Sequence, residues 1–407
     1  MLNFEIDPKT KIVFGKDAEC KAGEEIARFT KKCMLCHDGS PFLEPLLNRV
    51  KDGLTAAGVE YIEMNKIQVL PKLSIVKEAA EICRNQGVGF VLGIGGGAAM
   101  DTTKVTALAV NYKKGDIVDF DPVQPVDWEV LPHGAIPTLT GTGSEMSFGG
   151  IIANDEKEPI ETRGYGHPVL CNDVIFVNPE LTYSLPPRQT AAGTMDLMSH
   201  AMEHYFNDTE DSFITDGYCE AIIKTALICG LRVILNPKDY NARANLSICA
   251  MMANSAHMAL NCASSDWCVH NIEGALEAKY KATHGAILAV LTPQWVRIAY
   301  KNNPRRFRQW AVNCMGVEPK GSDDEIILKA ADLLQDWVTK MGLPTHLADL
   351  GIDGLTLEED AAKAIRDVVA PADSDESVFG NKKAEPRLGG YSQLTYDQIL
   401  AILKAAL

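Results

Sequence analysis

GVGFVLGIGGGAAMDTTKVTALAV (residues 87–110) decides the fold. It opens as a short apolar run, passes through glycines, and continues with the periodicity of a helix. Consecutive glycines let the backbone approach a phosphate closely, and a helix start offers free N–H donors and the positive end of a dipole. Gly93-Ile-Gly95-Gly96-Gly97-Ala98 fits the G-x-G-x-x-A dinucleotide pattern. Two features depart from the usual version. The motif follows the third strand signal rather than the first, and no acidic residue is clearly placed about 20 positions later. Gly95, Gly96, Gly97 and Ala98 are candidate nucleotide contacts, and Asp101 and Lys104 extend the motif. For that last pair an exposed first helical turn is the plainer reading.

Working outward, residues 32–38 (KCMLCHD), 59–65 (VEYIEMN) and 133–140 (HGAIPTLT) also read as strands. Helical patterns fill 41–58, about 74–86 and about 98–110. Strands alternating with helices predict βαβ units and a parallel sheet, with binding loops at the strand carboxyl ends. Strand signals stop after Asn178-Pro179, and from Leu185-Pro186-Pro187 nearly every segment has a 3.6-residue period. The expected division is an α/β domain over residues 1–182 and an all-α domain over 183–407. Ser184 is the expected cap of the first C-terminal helix. Residues 371–390 read as an exposed polar loop before a last short helix.

The chain has 407 residues, 46% hydrophobic and 23% charged, ordinary values for a globular protein. A net charge of −15 supplies no phosphate-neutralising face, which argues against a nucleic-acid partner. The N-terminus lacks the pattern of a signal peptide, and no apolar run reaches the ~18 residues of a membrane span. These features point to a cytoplasmic protein without membrane partners. Eleven scattered cysteines read as reduced thiols. Cys33 and Cys36 have redox C-x-x-C spacing, but they fall within an apolar strand rather than at a helix start.

Two further loops suit a nucleotide. Residues 137–145 (PTLTGTGSE) follow a strand and present Thr138, Thr140, Thr142 and Ser144, hydroxyls able to meet phosphate, ribose or carboxamide. Asp38, with Gly39 and Ser40, ends the first strong strand. A carboxylate there would accept hydrogen bonds from a ribose diol and repel a 2′-phosphate, favouring NAD over NADP. The plainer reading is an ordinary Asp-Gly turn.

Asp196, His200, His270 and His284 form a candidate ligand set for one divalent metal. Asp196 and His200 stand four apart on a helical pattern and so share a face. His270 lies inside a later helix, and His284-Gly285 opens the next. Three imidazoles and a carboxylate suit zinc or iron(II) and leave room for a substrate oxygen. His204 extends the same stripe and His257 is a further candidate, so spacing alone leaves the choice open.

Taken together, these blocks resemble the iron-containing (group III) alcohol dehydrogenase family, in its butanol dehydrogenase-like branch. GIGGGAAMDTTK is similar to the family's glycine loop, PTLTGTGSEMS to its nicotinamide-side loop, LPPRQTAAGTMDLMSHAMEHYF to its first ligand helix, and DWCVHNIEGALEAKYKATHG to the segment with the last two ligands. The resemblance implies a Rossmann-like N-terminal domain, an all-helical C-terminal domain, and Asp196, His200, His270 and His284 as ligands of Fe2+ or Zn2+. It implies hydride exchange between NAD, with NADP as the alternative, and a small alcohol or aldehyde whose oxygen the metal polarises. A homodimer, formed near the KIVFG strand, is also implied. Three positions depart from the family. Gly274 stands where many relatives have a helper histidine, Ala98 replaces a serine, and Thr162 occupies the place of a ribose-side lysine, with Arg163 beside it. Competing readings are a carbon–oxygen lyase of the dehydroquinate synthase type, for which few basic residues surround the motifs, and an inactive NAD- or metal-binding homologue, supported by Gly274 alone.

Overall fold

The computed structural model describes residue 2 and residues 9–158, 160–260, 262, 265–366 and 386–407. Most of the loop expected at 371–390 lies outside the described residues. The strands are β1 (Lys11–Phe14), β2 (Lys32–Cys36), β3 (Glu60–Met64), β4 (Phe90–Gly95), β5 (His133–Pro137), β6 (Gly149–Asn154), β7 (Glu161–Gly166) and β8 (Val174–Val177). Four helices accompany them: α1 (Ala22–Ile26), α2 (Glu44–Ala56), α3 (Leu73–Gln86) and α4 (Gly97–Ala109). The later helices are α5 (Pro187–Tyr205), α6 (Phe213–Leu235), α7 (Tyr240–Ala253), α8 (Cys268–Tyr280), α9 (His284–Ala299), α10 (Pro304–Asn313), α11 (Asp323–Lys340), α12 (Leu357–Arg366) and α13 (Tyr396–Ala405).

Six strands form one parallel sheet in the order β1-β8-β5-β4-β2-β3. The α/β expectation therefore holds. Side chains alternate across β2: Cys33 and Leu35 join the cluster with Ile26, Leu47 and Val50, whereas Met34 and Cys36 join the one with Val76, Cys83 and Leu108. Both faces are covered by helices, which is why these strands read as unbroken apolar runs. The same alternation sends Cys33 and Cys36 to opposite faces, and burial pushes the Cys33 thiol up to about 12, so the pair has no redox geometry.

The chain steps from β2 outward to β3 and then back across to β4. Counted from β2, the order is 2-1-3-4-5, a doubly wound arrangement whose switch point lies between the carboxyl ends of β2 and β4. Asp38 follows β2, the glycines follow β4, and Thr138 follows the adjacent β5. All three sequence-derived loops thus meet at the crevice where such sheets bind ligands.

Two compact units emerge: residues 6–185 with 238–256, and residues 1–5 and 186–237 with 257–407. α7 packs with the sheet unit, placing Met251 against Met100, Ala135 and Ile175. The expected division at 182 places this helix with the all-α domain, and its packing places it with the sheet. The second unit is helical, with α9 packed on α5, α8, α11 and α13. Ser184 does not cap α5. The cap position is Pro186, with no side-chain bond, and Pro187 opens the helix, where a missing N–H costs nothing.

Candidate active site

α5, α8 and α9 bring the four expected metal ligands together within the helical unit. Asp196 Oδ1 is 3.3 Å from His200 Nδ1, 3.8 Å from His270 Nε2 and 3.5 Å from His284 Nε2. Donor atoms of Asp196, His270 and His284 all lie within 4.8 Å of one another. The His200 ring lies beside this group, its centroid 4.7 Å from that of His270 and its plane tilted by 33°. Asp196 Oδ1, His200 Nδ1 and His270 Nε2 are buried without a hydrogen-bond partner. Buried polar atoms are rarely left so, and a cation at the focus of the donors would satisfy all three. The donor set therefore fits a divalent metal.

Electrostatics point the same way. Burial would lower His270, but the nearby Asp196 carboxylate and the hydrogen bond to Glu203 lift it to about 9. His284, likewise opposed by burial, is raised well above its usual value, with Glu273 its strongest partner. Asp196 is held far below the usual carboxylate range despite burial, by His200, His270 and His284. Burial drives His200 down to about 3. The pocket favours positive charge, and protons or a metal can supply it.

Carboxylates stand behind two of these histidines. Glu203 Oε1 is 3.0 Å from His270 Nδ1 and accepts the His270 backbone N–H at 3.2 Å. Glu273 Oε2 is 2.7 Å from His284 Nδ1, with Glu277 Oε2 at 3.5 Å. Such contacts fix the ring orientation and tautomer and raise ligand basicity. Neither Glu203 nor Glu273 was picked out from the sequence, although each stands three residues beyond a ligand on its own helix. Glu203→Leu should weaken metal retention about 10–100-fold, measured as metal remaining after dialysis against a graded chelator. Unchanged retention would show that Glu203 does not orient His270.

The competing histidines are placed elsewhere. His204 Nδ1 lies 2.8 Å from Ser265 Oγ, and burial lowers its ring to about 4. His257 lies outside the group, on the short turn Ala256–Ala259. Trp267 packs its ring against His200, His204 and His270 at centroid distances of 6.0, 5.3 and 5.3 Å. Its backbone is left-handed at φ 56°, strained for a bulky residue.

In the sheet unit the glycine loop and the Thr/Gly loop touch. A Cβ on Gly97 would come 3.1 Å from Thr142 Cγ2, and the Thr138 N–H donates to Gly95 O at 2.9 Å. Ser144 Oγ donates to Asp101 Oδ1 at 2.6 Å, and Asp101 Oδ2 accepts the Ile151 N–H at 2.9 Å. Lys104, buried, donates to Ser144 Oγ, Ser147 Oγ and Gly149 O at 3.0, 2.9 and 2.6 Å. Asp101, Ser144 and Lys104 thus brace the two loops against each other from within, whereas the Gly95–Ala98 turn carries the helix N-terminus. α7 contributes Ser247, 3.4 Å from Thr140 Oγ1, and its C-cap residue Asn254 donates to Thr142 O at 2.8 Å. Both escaped the sequence analysis, because nothing local to α7 signals its return to the sheet. Arg163 does not replace the ribose-side lysine, since its guanidinium donates to Val118 O and Phe120 O.

Residues 8–179 match the model of the iron-containing alcohol dehydrogenases, and residues 190–407 match that of the C-terminal region of the Fe-containing alcohol dehydrogenase family. The chain belongs to the iron-containing alcohol dehydrogenase family. Among its relatives, the NADH-dependent butanol dehydrogenase A of Clostridium acetobutylicum is 33% identical over 371 residues, covering 90% of this chain and 94% of that one. An NADPH-dependent aldehyde reductase of Escherichia coli is 30% identical, covering 88% and 91%. The crystal structure of an NADH-dependent butanol dehydrogenase A from Thermotoga maritima superposes with a TM-score of 0.87 at 32% identity, covering 99% and 98%. This iron-containing alcohol dehydrogenase is accordingly an alcohol/aldehyde oxidoreductase with NAD(P) and a divalent metal, iron, as cofactors. The lyase and inactive-homologue readings are not favoured.

Proposed function

We propose that the protein interconverts primary alcohols and aldehydes of the butanol/butanal kind, with NAD(H) preferred over NADP(H), and that Asp196, His200, His270 and His284 hold its metal. The observation that carries this reading is the convergence of buried, unpartnered donor atoms from α5 and α8 beside His284 at the start of α9. When bound, the metal supplies Lewis acidity toward the substrate oxygen. Glu203 and Glu273 orient His270 and His284 and keep their other nitrogens free for it. Trp267 packs against the His200 and His270 rings and holds them in place.

Backbone N–H groups of Gly95, Gly96, Gly97 and Ala98 receive the pyrophosphate at the start of α4. Thr138, Thr140 and Thr142 present hydroxyls on the neighbouring loop, and Asp38 meets the ribose hydroxyls. Asp101 and Ser144 serve the nucleotide by bracing these loops rather than by contact. Gly274 is exposed and a Cβ there would meet nothing within 4 Å, so water rather than a side chain exchanges the alcohol proton on that face. β1 is an edge strand with Ile12 and Phe14 exposed, which supports a homodimer formed through it. A cytoplasmic setting is supported by eleven cysteines, none of them in a disulfide; among the described residues no helix is long and apolar enough to cross a membrane.

The test is turnover. Protein loaded with Fe(II) or Zn(II) should oxidise NADH with butanal, and silence across a broad aldehyde and alcohol panel, with metal and nucleotide bound, would sink the proposal. Asp38→Gly should shift preference toward NADPH by about tenfold, the scale of one lost charge–phosphate discrimination. An unchanged NADH/NADPH ratio would remove the reason for choosing NAD.

A further inference from the structure

Asp38 can discriminate between nucleotides only if its carboxylate is held in one place, and the residue before it does the holding. His37 is buried, 3% exposed, while Asp38 and Gly39 are exposed. The main chain of His37 continues the β2–β3 pairing: its N–H donates to Met64 O at 2.9 Å, and its carbonyl accepts the Ile67 N–H at 3.2 Å. Its ring is used on both sides. Nδ1 accepts the Gly39 N–H at 3.1 Å, and Nε2 lies 3.1 Å from Glu63 Oε2. A backbone N–H only donates, so Nδ1 carries the lone pair and Nε2 carries the hydrogen that Glu63 receives. Only the neutral ring in that one tautomer meets both demands. Burial lowers the ring's proton affinity against the pull of Glu63, which favours the neutral state. Glu63 is itself anchored, 2.9 Å from Lys51 Nζ on α2.

The exposed part of the turn closes on itself. Gly39 has φ +74°, and a Cβ there would come 2.6 Å from Asn65 O, so no other residue fits without a shift. Asp38 Oδ1 accepts the Ser40 N–H at 2.8 Å, and Ser40 Oγ accepts the Phe42 N–H at 3.4 Å. These bonds shape the turn but do not attach it to anything buried. Among the side-chain hydrogen bonds of the turn, the one from Gly39 to His37 ties it to the buried His37–Glu63–Lys51 set.

We infer that His37 is a positioning residue for nucleotide selection: its ring locks the Asp38-Gly39-Ser40 turn at the carboxyl end of β2 so that the Asp38 carboxylate meets the ribose hydroxyls and opposes a 2′-phosphate. The inference rests on the reading of Asp38 proposed above. His37 acts through Asp38 and not by touching the nucleotide, so its effect must disappear when Asp38 is gone.

That requirement defines the experiment, a double-mutant cycle on the metal-loaded protein read as kcat/KM for NADH and for NADPH with butanal. His37→Leu is expected to raise KM for NADH and to cut the NADH/NADPH preference by about fivefold, the scale of one turn hydrogen bond. His37→Asn should restore most of the preference, because a short amide oxygen accepts an i+2 N–H as an Asx turn does while losing Glu63. His37→Gln reaches Glu63 but not Gly39 and should behave like the leucine variant; it replaces that variant if leucine leaves the protein insoluble. In an Asp38→Gly background, His37→Leu should change the ratio no further. If Asp38→Gly relaxes the preference and neither His37→Leu nor His37→Gln does, the inference is overturned and the reading of Asp38 stands. If His37→Asn is as impaired as His37→Leu, the turn bond is not the cause and the inference is again overturned. If Asp38→Gly leaves the preference intact, the Asp38 reading falls and this inference with it.

Discussion

His270→Ala is expected to lose metal and turnover together, with kcat/KM falling at least about a thousandfold, or about 4 kcal/mol of transition-state stabilisation. His270 sits at the junction of the site, with Nε2 toward Asp196 and Nδ1 held by Glu203. Its removal takes away a proposed ligand and strands the buried Glu203 carboxylate at once. Metal analysis of the purified variant beside the activity assay checks this, and retention of both would mean that the ligand assignment is wrong. A pH signature accompanies it. In the metal-free protein the His270 pKa is raised from its usual 6.5 to about 9, so its protonation stabilises the fold fully below pH 6.5, and that contribution is lost as pH rises through about 9. Metal needs the neutral imidazole, so metal uptake releases a proton and strengthens over the same interval. Thermal unfolding of metal-free protein between pH 6.5 and 9.5 should therefore show a decline that is shallower in the alanine variant, where His284 supplies what remains. An equal decline in both proteins would place the titrating group elsewhere.

Much of this site was legible because its parts obey local rules. β2, β4 and β5 are buried on both faces and so read as apolar runs, and the loops at their ends carry glycine, threonine and aspartate in the positions that turn chemistry demands. Asp196 and His200 announce themselves by helical spacing. What escaped depends on contacts between distant segments. β8 is only four residues long and ends at Asn178-Pro179, and β6 with β7 forms a glycine-rich hairpin apart from the main sheet. α7 has the same periodicity as its helical neighbours, and only its packing shows that Ser247 and Asn254 serve the threonine loop. Spacing alone could not separate His200 from His204, since both lie on one stripe; the resemblance points to His200, and in the fold His200 faces Asp196 while His204 faces Ser265. Asp101 shows the converse: the motif suggested a ligand contact, and the fold turns both carboxylate oxygens inward to protein donors.

Gly285→Ala is expected to be far more damaging than its chemistry suggests. A helical glycine changed to alanine ordinarily gains up to about 1 kcal/mol. At Gly285 the added Cβ would lie 2.1 Å from Ala192 O and 2.6 Å from the Ala192 carbonyl carbon. Both are backbone atoms of α5, so no side-chain rotation relieves the clash; α5 and α9 must separate. Ala192 is one helical turn before Asp196, and Gly285 directly follows His284, so the separation acts on the 3.5 Å Asp196–His284 approach itself. Overpacking of this kind costs about 1–3 kcal/mol or more, which for a unit of this size lowers Tm by roughly 2–12 °C, and metal affinity should fall with it. Gly274→Ala is the control, because a Cβ there meets nothing within 4 Å and the substitution should be neutral or mildly stabilising. Tm and metal content of the two variants decide the matter. A Gly285→Ala protein with unchanged Tm and full metal would show that the α5–α9 contact is not what sets the spacing of the ligands.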